Sequence, residues 1–178
     1  MAGQRLTDKT ALEEQAGSGD LLMLVDVSDT TGSSAGTSKK TDFKYVIQTD
    51  KFSLSNADVL ALDSTPKTLV GALSGYMVTV LNVSVLGTYA TPTEIARKNL
   101  IFGFEDTTDT INWGVISDCM DSVTTDVSYA VGPAQPRGTG SCTTSLLNKP
   151  FICWAEGLGF GGGWSCDIYV TYAYTKVL

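Results

Sequence analysis

The chain has 178 residues, with 12 Lys and Arg against 19 Asp and Glu, no histidine at all, and a formal net charge of −7. The missing histidine excludes Ser-His-Asp and Cys-His catalytic pairs, a His-based zinc site and an imidazole pH switch; the acidic balance, with no basic cluster larger than Lys39-Lys40, excludes nucleic acid as an expected partner. Charged residues are only 17% of the chain, against roughly 25% in an average soluble domain, and Thr, Ser and Gly replace them, as in a β-rich protein with many turns whose surface is partly covered by other copies.

Residues 8–15 form one helical-looking piece, with Thr7 or Asp8 placed to cap it. No apolar run of signal-peptide type opens the chain, and the longest apolar-rich stretch, residues 76–86, is too short to cross a bilayer, so cytosolic synthesis and no membrane contact are expected. After the breaker at residues 17–20, residues 21–28 read as a strand with Leu21, Met23, Val25 and Val27 on one face. A loop of ten small polar residues, 29–38, leads to a second strand over 39–47, in which Phe43, Tyr45 and Ile47 alternate. Two strands and a weak helix cannot bury enough surface to stand alone. Residues 1–50 are therefore read as an N-terminal attachment segment, with those seven apolar side chains as its particle-anchoring face.

Residues 51–178 read as one β-domain. Ser55 is a candidate N-cap for a short helical turn that the Thr65-Pro66 step ends. Residues 67–70 form a brief strand, and residues 76–86 a long one, apolar on both faces and expected to be central. Further strands are expected over 99–104, 110–117, 126–131, 142–147, 150–156 and 164–177. In the last, Trp164, Cys166, Ile168, Val170, Tyr172 and Tyr174 share a face. The fold class is mainly β, an antiparallel sandwich of jelly-roll type.

Motifs that would carry chemistry are weak. Residues 157–162 satisfy G-x-G-x-x-G, but they lead into a strand with some 16 residues left, so a flexible loop is the better reading. Asn82-Val83-Ser84 is a chance glycosylation match inside a strand. Asp26, Asp29 and Asp42, and again Glu105, Asp106 and Asp109, lack the spacing of a calcium loop, and paired carboxylates for glycoside hydrolysis find no cleft. Cys119, Cys142, Cys153 and Cys166 form no C-x-x-C pair; two disulfides would suit four cysteines, but cytosolic synthesis favours free, buried thiols. Trp113, Trp154 and Trp164 would suit a sugar platform, but in strands they read as core or interface. No catalytic, cofactor-binding or metal-binding residue is assigned, and no enzyme activity is expected.

The run from Gly19-Asp20 through Val25-Asp26-Val27-Ser28-Asp29-Thr30-Thr31 to Gly36-Thr37-Ser38-Lys39-Lys40 resembles a segment near the N-terminus of many tailed-bacteriophage fibre and appendage proteins, over about residues 10–48. Residues 54–70 and 147–151, with the Gly-rich loop and the Tyr-rich last strand, are similar to a domain of small phage virion proteins that covers most of 53–178. Those relatives follow the Pro-x-x-Leu-Val strand with a Pro-Gly-rich turn, where this chain has Gly71-Ala72-Leu73-Ser74-Gly75. The resemblance implies a non-enzymatic structural protein located on the virion, a homotrimer, anchored through residues 1–50 to the major capsid protein or another virion protein. A capsid decoration or head-fibre role leads; the runner-up is a short tail-fibre or receptor-binding protein whose loops at 132–140 and 157–163 contact host surface glycans.

Overall fold

A computed structural model describes residues 21–32, 34–42, 46–105, 110–132, 146–157 and 159–176. The chain forms two compact units, Met1–Val46 and Ile47–Leu178.

In the first unit, β1 (Leu21–Asp26) and β2 (Thr37–Asp42) pair antiparallel, from Leu21 opposite Asp42 to Asp26 opposite Thr37. Short polar side chains shape the loop between them: Asp26 Oδ1 accepts from the Ser28 amide at 3.1 Å, and Asp29 Oδ1 from the Thr31 amide at 3.1 Å. These are Asx-type turns, which Asp favours because its carboxylate reaches the backbone two residues on. The Thr37 hydroxyl closes the loop by donating to the Asp29 carbonyl at 2.8 Å. The second strand thus starts two residues earlier than expected, because the turn fixes the register that sets Thr37 opposite Asp26. Phe43 and Tyr45 lie outside the described residues, and Ile47 falls beyond β2, at the start of the second unit.

The second unit opens with β3 (Gln48–Leu54). Residues 48–50 therefore belong to it rather than to the segment before it: they pair with the last strand, where the Tyr172 hydroxyl donates to Asp50 Oδ2 at 2.7 Å. The helix α1 (Asn56–Leu60) follows, capped by Ser55, whose hydroxyl accepts from the Asp58 amide while the Asp58 carboxylate accepts from the Ser55 amide. Then come β4 (Lys67–Val70), β5 (Tyr76–Thr88), β6 (Leu100–Glu105), β7 (Thr110–Ile116), β8 (Val127–Val131), β9 (Phe151–Ala155) and β10 (Ser165–Lys176). Of the strand expected over 142–147, residues 142–145 lie outside the described residues and Leu147 makes a single bridge to Met77.

The pairing follows one rule. β3 pairs with β10, β4 with β9, β5 with β8 and β6 with β7, as in a single long hairpin whose tip lies between β6 and β7. Rolling that ribbon also brings β10 beside β5 and β9 beside β6, which gives two four-stranded antiparallel sheets, β3-β10-β5-β8 and β4-β9-β6-β7. This is the jelly-roll order. The core between the sheets includes Phe102, Phe151, Ile168 and Trp164, each at most 1% exposed. β10 alternates as its sequence requires, with Cys166, Ile168, Val170 and Tyr172 buried.

β5 departs from expectation. It is an inner strand, but it is buried on one face only: Val78, Val80, Val83 and Val85 point to the core, whereas Leu81 and Leu86 are both 44% exposed. A register shift opposite Thr171/Tyr172 places Leu81 and Asn82 together on the outer side, so the apolar run does not mean burial between two layers.

Candidate functional site

The hairpin of the first unit holds the proposed anchoring residues. Met23 is 69% exposed, Leu22 38% and Leu24 44%, and Val27, which lies past the end of β1, is 76% exposed. Neighbouring side chains on a strand point to opposite faces. Leu22 and Leu24 therefore expose the face opposite to Met23, so the apolar surface is two-sided and not the single face expected of Leu21, Met23, Val25 and Val27. The side chains of Leu21, Val25, Phe43 and Tyr45 lie outside the described residues. Ile47 is 60% exposed but belongs to the second unit. Leu22 and Leu24 were readable in the sequence, because an unbroken Leu-Leu-Met-Leu-Val run signals a strand apolar on both sides.

The partner strand β2, Thr-Ser-Lys-Lys-Thr-Asp, supplies polarity instead of cover. Lys39 Nζ reaches Asp26 Oδ2 at 3.2 Å and Asp29 Oδ2 at 2.7 Å. The Ser28 hydroxyl and Lys39 bring Asp26 down to about 2, and Lys39 and Thr31 bring Asp29 down to about 2. The cation that these carboxylates hold is thus the chain's own lysine. Leu22, Met23, Ser38, Lys39 and Lys40 line a shallow open depression in which apolar and cationic groups lie side by side.

The other sequence motifs resolve differently. Among the described residues no group of three or more Cys, Asp and Glu side chains is gathered to hold a metal ion. Residues 106–109, with Asp106 and Asp109, lie outside the described residues. Cys119, Cys153 and Cys166 are free and buried, and burial pushes all three thiols up, Cys166 to about 12. Trp164 is a core residue packed edge-on against Phe160, and Trp113 packs edge-on against Phe151; these two indoles make no exposed platform.

The Gly-rich run is not loose. Glu94, 2% exposed, sits in the connection between β5 and β6, and its carboxylate gathers five N–H donors. Oε1 accepts from the amides of Ile95 at 3.1 Å and Ala96 at 2.8 Å; Oε2 accepts from Gly161 and Gly162, both at 2.8 Å, and from the Trp164 indole at 3.3 Å. Burial pushes this carboxyl up, but the Ala96, Gly162 and Gly161 amides and the indole outweigh it, so the group lies below the usual glutamate value. A side chain at Gly162 would meet Glu94 at 2.9 Å, and one at Gly163 the Thr91 carbonyl oxygen at 2.1 Å, so both glycines are required by close approach. Further links join the loops of this end: the Glu94 carbonyl accepts from the Ser122 amide at 2.7 Å, and Asn56 Nδ2 donates to the Gly162 and Trp164 carbonyls, both at 2.9 Å. With its oxygens so committed, Glu94 is arranged to fix loops rather than to transfer protons. Nothing in the sequence marked Glu94 except the Gly-Gly pair and tryptophan that it binds.

No protein-family model matches the chain, and neither does any curated protein. Among solved structures, a chain of the native virion of Kashmir bee virus at neutral pH overlaps 95% of this chain and 96% of its own length, at 8% identity and a TM-score of 0.30. A chain of the full particle of Israeli acute paralysis virus heated to 63 degrees overlaps 96% of both, at 12% identity and a TM-score of 0.29. Overlaps this loose are compatible with many eight-stranded sandwiches.

Proposed function

We propose that the chain is a non-enzymatic structural protein of a virus particle, which docks through its N-terminal hairpin and displays a jelly roll. The single observation that carries the docking half is the hairpin: β1 exposes Leu22, Met23 and Leu24 on both of its faces, and the one strand paired with it among the described residues is polar. Two-stranded hairpins are at best marginally stable in water, and an apolar two-sided strand gains stability when a partner covers it. The particle half is supported by the resemblance of residues 19–40 to phage appendage segments and by the jelly-roll order, which viral shells use alongside other proteins. The finer reading is capsid decoration or a head fibre of a tailed phage, with the major capsid protein as the hairpin's partner and several copies of the chain, three by the resemblance, acting together. Multiple hairpins on one oligomer raise the effective concentration of each.

The test is co-sedimentation of the purified protein with particles that lack it. The Met23→Asp and Leu24→Asp variants should each weaken binding at least tenfold while the circular dichroism of the jelly roll stays unchanged; binding as tight as wild type would refute the docking assignment. Copy number separates the roles: hundreds per particle fit decoration, whereas a handful at one vertex fits a tail fibre.

A further inference from the structure

We infer that the outer face of the β3-β10-β5-β8 sheet is the surface through which copies of this chain pack against one another. This deepens the reading above only where that reading calls for several copies; the hairpin takes no part in it. The inward residues of β10 are the buried ones, so Asp167, Tyr169, Thr171 and Ala173 point outward. The same alternation puts Thr49, Lys51 and Ser53 of β3, and Ser128 and Ala130 of β8, on that face.

Its chemistry is unlike that of the chain as a whole. The protein carries a net charge of −7, yet among the described residues this face holds only Lys51 and Asp167, which neutralise each other at 2.9 Å. Ser53 donates to the same carboxylate at 2.6 Å. The other polar groups on the face are uncharged: Thr49 pairs with Thr171 at 3.0 Å and Thr79 with Thr175 at 2.7 Å across strands, Asn82 Nδ2 donates to the Ser84 hydroxyl at 3.1 Å, and Ser128 and Tyr169 carry hydroxyls. Between them Leu81 and Leu86 are each 44% exposed. Two acidic copies repel over most of their surfaces but not here, where contact costs neither charge repulsion nor the desolvation of an unpaired ion. The scarcity of charge, with Tyr169 and two exposed leucines on the face, is that of an interface centre.

The size is sufficient as well. At about 3.3 Å per residue and about 4.8 Å between strands, the four strands present a plan area on the order of 600 Å² per copy, so two facing copies cover ~1,200 Å², above the roughly 1,000 Å² that a specific interface needs. The occupant that fits a neutral face on an otherwise acidic molecule is a second copy of this chain.

Sedimentation velocity of the full chain over a concentration series tests this. Wild type should associate, and Leu86→Lys and Ala130→Arg should each raise the dissociation constant at least tenfold with an unchanged thermal melt, while Asn112→Arg, at an exposed position on the other sheet, should leave it alone. A wild type that stays monomeric throughout, or association indifferent to both charge insertions, overturns the proposal. Should either variant fail to fold, acetylation of the wild type decides: Lys51 should react more slowly as concentration rises and Lys67, on β4, at a constant rate, and equal behaviour of the two refutes the face. Because particle docking is read by the Met23 and Leu24 variants in a separate assay, failure of one reading leaves the other standing.

Discussion

Glu94 shows how one side chain can set the character of a whole loop region. Five N–H groups converge on its carboxylate from two connections. Glu94→Gln keeps the shape but turns an amide N–H₂ toward donors, and hydrogen bonds to a charged group are worth about 1.5–3 kcal/mol. The variant should lose about 2 kcal/mol of unfolding free energy in a urea titration. The pH dependence has a definite sign. The folded carboxyl lies below its ordinary value of 4.5, so its contribution is fully present above pH 4.5 and disappears as pH falls through the lower folded value. Wild-type stability should therefore be level above that pH and drop below it, and the gap between wild type and Glu94→Gln should close in the same acidic range. A gap that persists undiminished at pH 2 would contradict this account.

At the level of elements, legibility tracked the length of the alternating pattern. β10 alternates over 12 residues, and its inward set was readable from Trp164, Cys166, Ile168, Val170 and Tyr172. The Ser55 cap was equally local, because a hydroxyl three residues before a carboxylate defines a helix start without help from the rest of the fold. β5 misled because its valines and leucines look alike in sequence, and only the register shift against β10 decides which face the water. β2 misled for the opposite reason: its six residues are polar, and pairing with β1 rather than any preference of its own makes them a strand. The Asp26–Lys39–Asp29 cluster that steadies this hairpin can be checked by titration. Both carboxylates should titrate near 2 in wild type and move toward 3.8 in Lys39→Ala, as followed by carboxyl carbon shifts. Their depressed values mean that the turn is held above the unfolded carboxylate range and released only as pH falls toward 2. Carboxylates that stay near 2 without Lys39 would show the hydroxyls and amides to be sufficient alone.

For the whole molecule, the division at Val46/Ile47 predicts independence of parts. The jelly roll has its own core, from Leu54 to Tyr172, and among the described residues its strands pair only with one another, from β3 to β10. A chain that starts at Ile47 should melt within ~2 °C of the full chain, no more than the loss of about 1 kcal/mol would shift, and should no longer bind particles. A fall of ten degrees would show that the hairpin contributes to the fold it precedes. The rolled ribbon also has a mechanical side. β3 and β10 are antiparallel neighbours, so the chain enters the jelly roll beside the place where it leaves β10, with Gln48 opposite Tyr172. A load applied between those two points would open the β3–β10 seam like a zipper, one hydrogen-bonded pair at a time. Load entering at β3 and leaving through the far loops that Glu94 ties together would instead pull along the strands, against many bonds at once. The jelly roll is therefore built to be strong when tugged by its tether against something held at its loops, and weak when tugged between its own two ends.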